Sequence, residues 1–124
     1  MKYITFSFLA LLLFSCYEQE HNCKDFKTGK FTSSIEVEGE KFTSTFERND
    51  SIQIENFNNK IDSFSIRWIN DCEYVLENLH PKNREEKKAV HFKILFTKDL
   101  DYTFEYSFIG DSKKQKGHVT KLNN

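Results

Sequence analysis

From residue 28 to residue 122, apolar and polar residues alternate with a period of two, and this alternation limits the fold more than any other feature. Successive side chains on a β-strand point to opposite faces, so the pattern predicts strands with one apolar face. Polar turns such as Glu38-Gly39 and Asn58-Asn59 separate about eight such segments. Short connections make neighbouring strands antiparallel, and a flat sheet would expose its apolar face and two edges. We therefore predict an all-β, up-and-down meander that curls into a barrel or half-barrel.

The alternation also predicts which side chains point inward. These are Phe31, Ile35, Val37, Phe42, Ser44, Phe46, Ile52, Ile54, Phe64, Ile66, Trp68, Cys72, Tyr74, Leu76, Val90, Phe92, Ile94, Phe96, Tyr102, Phe104, Tyr106 and Phe108. Residues 48–50 are interpreted as a turn, and residues 80–88 as a loop. Residues 84–90 could form a short helical turn. The last strand, residues 117–122, is weakly patterned, so closure of the barrel is the open part of this prediction.

The interior of an eight-stranded barrel is just wide enough to be filled by side chains or to hold one small ligand. Since the chain has 13 Phe and 5 Tyr, we expect the interior to be filled, with room for a cavity at one mouth only. The inward tyrosine hydroxyls need polar partners, which could equally orient a ligand. Trp68, Tyr74, Tyr102 and Tyr106 are therefore candidate ligand-lining residues, with core packing as the alternative.

The N-terminal residues predict an export signal. After Lys2, residues 4–14 are uncharged, and a helix of that length covers roughly 16 Å, too short to span a bilayer. Residues 12–16, Leu-Leu-Phe-Ser-Cys, resemble the cleavage site of bacterial lipoprotein signal peptides. The resemblance implies a signal peptide over residues 1–15 and a Cys16 that carries acyl chains such as palmitate. Residues 16–27 would then be a polar tether, and residues 28–124 a single β-domain.

Two or three acyl chains attach a protein to a membrane lastingly. We therefore expect an exported protein of the cell envelope, anchored by its lipid to the outer membrane. It would face either the periplasm or the cell surface.

With Cys16 acylated, Cys23 and Cys72 remain as a pair. In an oxidising compartment such a pair predicts a disulfide, which would stabilise the fold by about 4 kcal/mol in the chain-entropy model. The alternative is a metal site, for which two cysteines without a nearby histidine pair are poor ligands.

The sequence contains few motifs that carry chemistry. It has no glycine-rich phosphate loop, no HExxH and no CxxC, and its four histidines stand far apart. We predict no catalytic residue, no metal site and no cofactor. Basic and acidic residues nearly balance, 18 against 19, so we expect no nucleic-acid partner.

A short motif predicts a modification. Residues 50–52, Asp-Ser-Ile, resemble the acceptor motif for O-glycans on exported Bacteroidota proteins. The resemblance implies a sugar on Ser51 at a hairpin tip, and a chance match of three residues is the alternative.

Taken whole, the chain resembles a group of short Bacteroidota (flavobacterial) lipoproteins of unknown function. The resemblance lies in Cys16 and in residues 23–31, 48–50 and 66–74, which include a spaced Cys/Trp/Cys signature. Members of this group often carry the name DNA topoisomerase IV. That activity requires an ATP-binding fold, a DNA-cleaving tyrosine and metal-binding acids, and a chain of 124 residues is about a tenth of the necessary size. We do not expect an enzyme.

Two functions remain as expectations. The first is a non-catalytic envelope module that binds or scaffolds another macromolecule, such as an envelope protein. The second is a calycin-like carrier of one small apolar ligand. Residues 27–31, Lys-Thr-Gly-Lys-Phe, are similar to the Gly-x-Trp start of lipocalins, with Phe in place of Trp.

Overall fold

A computed structural model describes residues 22–122, which form an eight-stranded barrel. The strands are β1 (Gly29–Val37), β2 (Glu40–Arg48), β3 (Ile52–Phe57), β4 (Lys60–Asn70), β5 (Glu73–Asn78), β6 (Val90–Lys98), β7 (Asp101–Phe108) and β8 (Gln115–Lys121). Each strand pairs antiparallel with the next, and β8 pairs with β1. The predicted all-β meander is therefore confirmed, and the pairing of Phe31–Ile35 with Gly117–Lys121 decides that the barrel closes.

The hairpins follow from local backbone chemistry. Glu38 and Gly39 both have positive φ, 52° and 82°, and so do Asn58 and Asn59, at 53° and 67°. Two consecutive left-handed residues form the turn whose twist matches that of the flanking strands, and Asn and Gly adopt this conformation most easily. Between β5 and β6, a 3₁₀ turn at Glu85–Lys87 lies within the predicted loop.

The two ends of the barrel differ. At one end, here called the closed end, the chain enters β1, and the β2–β3, β4–β5 and β6–β7 connections lie there. A 3₁₀ turn at Cys23–Phe26 precedes β1, and Phe26 is buried with its ring edge-on to Tyr102 at 5.1 Å between ring centres. The other four connections lie at the opposite end, here called the loop end.

Several bonds fix the Cys23–Phe26 turn to the closed end. Cys23 and Cys72 form the predicted disulfide. The Lys27 ammonium donates to Asp71 Oδ1 at 3.0 Å, and this hydrogen bond lowers the pKa of the Asp71 carboxyl. The Lys121 ammonium donates to the backbone carbonyl of Asp25 at 2.7 Å. The N-terminal turn is therefore an integral cover of this end.

The prediction for β3 was wrong about the face. Ile54 is 47% exposed, whereas Gln53 is 4% exposed and points into the barrel. Gln53 is directly opposite Arg48, and Glu55 is opposite the buried Phe46, so both share the inward face. Arg48, interpreted as a turn residue, ends β2 with its side chain inside. The connection between Arg48 and Gln53 sets this register, which places Ile52 and Ile54 on the outward face.

A bulge changes the face within β6. The pairing of β6 with β7 shifts between Ile94 and Phe96, which inserts one residue into β6. Phe96, predicted to be inward, is 39% exposed, and Thr97 is buried instead. The remaining inward residues of β4, β5 and β7 pack in the core as predicted, except at the loop end, where Phe108 is exposed.

Candidate binding site in the barrel interior

A cavity of about 170 Å³ occupies the middle of the barrel. Every strand contributes to its wall. The lining residues are Ser33, Ile35, Phe46, Gln53, Glu55, Phe64, Tyr74, Leu76, Val90, Phe92, Phe104, Tyr106 and Val119. The inward aromatic side chains therefore do not fill the barrel completely, and the remaining space lies in its interior.

The exposure of the lining residues shows where the cavity meets solvent. Tyr74, Phe104 and Val119 are buried, whereas Val90 and Tyr106, nearer the loop end, are half-buried. Beyond them, two exposed phenylalanines form the rim: Phe42 is opposite Ile35, and Phe108 is opposite Val90. Directly opposite residues share a face, so both rings border the interior. The cavity thus has a floor toward the closed end and a mouth at the loop end.

One wall of the cavity is aromatic. On β5, β6 and β7 the rings of Tyr74, Phe92 and Tyr106 are stacked in sequence, with centres 4.9 and 5.5 Å apart. Phe104 packs against Phe92 at 5.5 Å. Burial raises the pKa of the Tyr106 hydroxyl, so this wall is neutral at ordinary pH. Because the three rings stack on one another, this wall offers a ligand an apolar aromatic surface.

The facing wall, from β1 to β4, carries the polar lining residues, which are interspersed with Ile35, Phe46 and Phe64. Ser33 and Glu55 line the cavity, and the Ser44 hydroxyl donates to Glu55 Oε2 at 3.1 Å. Burial raises the pKa of the Glu55 carboxyl, the Ser44 hydrogen bond lowers it, and the negative charge of Asp62 raises it further. Asp62 is directly opposite Glu55 on β4 and shares its inward face.

Below the floor lies Arg48, which is 2% exposed. Its Nε donates to Gln53 Oε1 at 2.9 Å, and its Nη1 donates to the Phe26 carbonyl at 2.8 Å. Its Nη2 donates to the hydroxyls of Tyr74 at 3.0 Å and Tyr102 at 3.2 Å. All of these acceptors are neutral. The guanidinium thus connects the floor of the cavity to the N-terminal cover of the closed end.

Aromatic faces supply much of the remaining environment of Arg48. The guanidinium carbon lies 4.7 to 5.7 Å from the ring centres of Tyr74, Phe46, Phe31 and Trp68. Burial acts to lower the pKa of Arg48, but the two tyrosine oxygens outweigh it, so the group stays protonated. Burial also raises the pKa of Tyr74 well above its usual range. Hydrogen bonds and ring faces thus stabilise a buried cation in place of a carboxylate.

The predicted ligand-lining residues divide into two groups. Tyr74 and Tyr106 line the cavity, whereas Tyr102 and Trp68 lie toward the closed end. The Trp68 ring is 4.7 Å from that of Tyr74, and its Nε1 is buried without an acceptor among residues 22–122. Trp68 is therefore next to the floor without bordering the cavity.

The sequence interpretation missed Arg48, Gln53 and Glu55. Their polarity assigned them to turns or to the outer face, and the stronger apolar pair Ile52 and Ile54 fixed the wrong face of β3. One signal was available. Arg48 is an even number of residues from Phe42 and Phe46, so in an unbroken strand the three side chains lie on the same face.

The other predicted sites are placed as follows. Cys16 lies outside the described residues, so its acylation stays a prediction. Ser51 is exposed in the β2–β3 connection, where its backbone N–H donates to Asn49 Oδ1 at 3.0 Å. Within residues 22–122, no three His, Cys, Asp or Glu side chains are grouped to hold a metal ion. No helix in the same residues is long and apolar enough to cross a membrane.

No protein-family model matches the chain, and no curated protein matches it significantly.

Proposed function

We propose that the protein is a non-catalytic binding module that takes one small molecule into its barrel and is held at a membrane by a lipid on Cys16. The observation that carries the proposal is the cavity of about 170 Å³, which has a floor, a mouth and lining residues from every strand. A barrel with no binding role would be expected to fill this space, since an empty volume forfeits packing energy.

The size of the cavity limits the ligand. Pockets for drug-sized molecules typically measure about 300 to 1,000 Å³, whereas an apolar cavity of about 150 Å³ is enough for benzene. We therefore expect a ligand with a single ring, or an aliphatic chain of similar volume. The Cys23–Cys72 disulfide supports an oxidising compartment, which agrees with export and with the proposed anchor.

Trp68, the single tryptophan, allows a direct test because it packs on Tyr74 at the cavity floor. Benzyl alcohol is titrated into the full chain, purified from membranes in detergent, while Trp68 fluorescence is recorded. We expect a saturable change with a Kd on the order of 1 mM or tighter for so small a molecule. Detergent with free tryptophan serves as the blank.

Two variants show where the probe binds. Val90→Phe places a ring in the cavity mouth and should weaken binding at least tenfold, which is about 1.4 kcal/mol. Ile54→Phe adds the same ring to the outer surface and should leave binding unchanged. If no single-ring compound gives a saturable signal, or if both variants bind equally, the proposed function is wrong.

An outer groove supports a second candidate, the binding of an envelope protein. A groove of about 400 Å³ lies across β1 to β4, and Ile54, Ile61 and Leu122 expose apolar side chains in it. Neighbouring exposed apolar residues are typical of protein interaction sites. Crosslinking in the native envelope tests this candidate, since Ile54→Asp with Ile61→Asp should abolish the crosslink and leave benzyl alcohol binding intact.

A further inference from the structure

The cavity has two chemically different walls, and this difference limits the ligand further. The stacked rings of Tyr74, Phe92 and Tyr106 form one wall. The carboxyl of Glu55 stands on the other wall, with Asp62 directly opposite it on the neighbouring strand. An aromatic wall packs against an apolar group and a carboxylate attracts positive charge, so the two walls together favour an apolar ligand that carries a cation.

The two carboxyl groups have no cationic partner in the described part of the chain. Neither Glu55 nor Asp62 forms an ion pair within residues 22–122. Like charges directly opposite each other on adjacent strands destabilise a sheet. On β4, the basic residue on the same face as Asp62 is Lys60, two residues earlier. Its ammonium forms an ion pair with Glu86 at 3.7 Å. A bound cation would relieve this repulsion.

A hydroxyl in the same wall is placed to contact a ligand as well. Ser33 is 7% exposed and lines the cavity, yet its side chain has no hydrogen-bond partner among residues 22–122. The Ser33 oxygen can accept a hydrogen bond from an N–H group held between it and Glu55.

We propose that the ligand is a small primary amine whose ammonium group binds Glu55 and Ser33 while its apolar body, the size of one ring, packs on Tyr74, Phe92 and Tyr106. This rests on the proposed function, because it names the class of molecule that the cavity takes. A quaternary ammonium has no N–H to donate, and an anion would face two carboxyl groups. The two acceptors therefore require a protonated amine with at least two N–H groups, and a primary ammonium, with three, meets this requirement with the smallest head group.

The charges around Glu55 give the binding a defined pH dependence. The charged residues on the inward face are Glu40 and Arg48 on β2, Lys60 and Asp62 on β4 and Lys121 on β8, and the hydroxyls of Tyr74 and Tyr106 stay neutral. Arg48 is already satisfied by neutral acceptors below the floor. An ammonium ligand binds the ionised form of Glu55, so its affinity should rise with pH through the pKa of that carboxyl, whereas the affinity of a neutral ligand should not.

The test compares four probes of nearly equal shape: benzylamine, benzyl alcohol, toluene and benzoate. Each is titrated calorimetrically into the full chain in detergent, with the same detergent in cell and syringe. At pH 7 benzylamine should bind at least about tenfold more tightly than benzyl alcohol, since a charge-assisted hydrogen bond exceeds a neutral one. Toluene should bind no better than benzyl alcohol, and benzoate should not bind.

Substitutions separate the carboxylate from general effects on the barrel. Glu55→Gln should remove the preference for the amine, so that benzylamine and benzyl alcohol bind the variant with about equal affinity. Glu47→Gln, a matched change on the outward face of β2, should alter neither. Ser33→Ala should weaken benzylamine binding by a few fold.

The outcomes distinguish the two proposals. If benzyl alcohol binds and benzylamine binds no better, or if Glu55→Gln keeps the preference for the amine, the amine assignment is wrong and the binding module stands. If none of the four probes binds, both proposals are wrong.

Discussion

Arg48 and Gln53 are directly opposite each other on β2 and β3, and inside the barrel Arg48 Nε donates a hydrogen bond of 2.9 Å to Gln53 Oε1. This contact joins two polar residues that a reading of local pattern places in a turn and on the outer face. It also fixes the side of β3 that faces the interior, and with it the position of Glu55 in the cavity wall. The polar wall of the cavity thus depends on the register of this one strand pair.

Gln53→Ala should destabilise the protein, because it removes an acceptor from a buried guanidinium. Hydrogen bonds to charged groups contribute about 1.5 to 3 kcal/mol, and we expect a loss of that size in the free energy of unfolding. Ile54→Ala, one residue along the strand, should change it by less than about 1 kcal/mol because Ile54 is on the surface. Urea unfolding of both variants measures the difference, and the reverse order would show that Ile54 faces inward.

Removal of the disulfide should loosen the cover of the closed end. Cys23 and Cys72 are 49 residues apart, and a closed loop of that length stabilises by about 4 kcal/mol in the chain-entropy model. We expect Cys23→Ala with Cys72→Ala to lower the unfolding free energy by about that amount. Reduction of the unsubstituted protein should give the same loss, and a variant as stable as the oxidised protein would contradict the prediction.

Glu55→Gln should stabilise the protein at neutral pH. Burial raises the pKa of Glu55 above its ordinary value of 4.5, so the folded state holds this proton more tightly than the unfolded state does. The folded state is therefore penalised increasingly as the pH rises above about 4.5, the penalty is complete above the folded-state pKa, and it is absent below about 4.5. Thermal melting from pH 3 to pH 8 should show Glu55→Gln more stable at the upper end, with the difference closing toward acid. An equal gap at every pH would indicate a cause other than ionisation.

Gly117→Ala should force the Phe104 ring to move. A Cβ at Gly117 would lie 2.8 Å from Phe104 Cε1 and 2.9 Å from the Ser34 carbonyl oxygen. Overpacking of this kind destabilises by about 1 to 3 kcal/mol. The empty space next to Phe104 is the cavity, so we also expect weaker binding of benzyl alcohol.

A double-mutant cycle with Phe104→Leu isolates this contact, since the smaller side chain leaves room for the new methyl group. The two changes together should destabilise by less than the sum of the single changes. Additive losses in urea unfolding would show that Phe104 does not meet the new methyl group.

The barrel was predictable because it depends on features present in short stretches of sequence. The disulfide was predictable from the cysteine count. Period-two alternation with two-residue turns defines up-and-down strands, and Cys23 and Cys72 were the pair left after Cys16. The face of β3 was not predictable in this way. Ile52 and Ile54 form the stronger apolar set locally, and only the partner strand, through Arg48, selects the other face.

The candidate site was predictable in its aromatic half alone. Tyr74 and Tyr106 stand out as inward rings with hydroxyls that need partners, and both line the cavity. Glu55 was not identified, because a polar residue that faces the interior has the same sequence signature as one that faces water, and the position of Ser33 between Phe31 and Ile35 predicted its face but not its place in a cavity. Phe96 was assigned to the wrong face for a related reason. The bulge before it moves its side chain to the other face of β6, and nothing in the local sequence indicates a bulge.

The Cys23–Phe26 turn that covers one end of the barrel also gives the molecule a direction. Asn22, the first described residue, lies at the closed end, and the six residue steps between it and Cys16 span at most about 21 Å. An acylated Cys16 would therefore attach the barrel to the bilayer through its closed end. The rim of Phe42 and Phe108 is at the loop end, on the side away from the lipid. A ligand would then enter and leave the cavity through water and not through the hydrocarbon of the bilayer. This route is the favourable one for a charged amine.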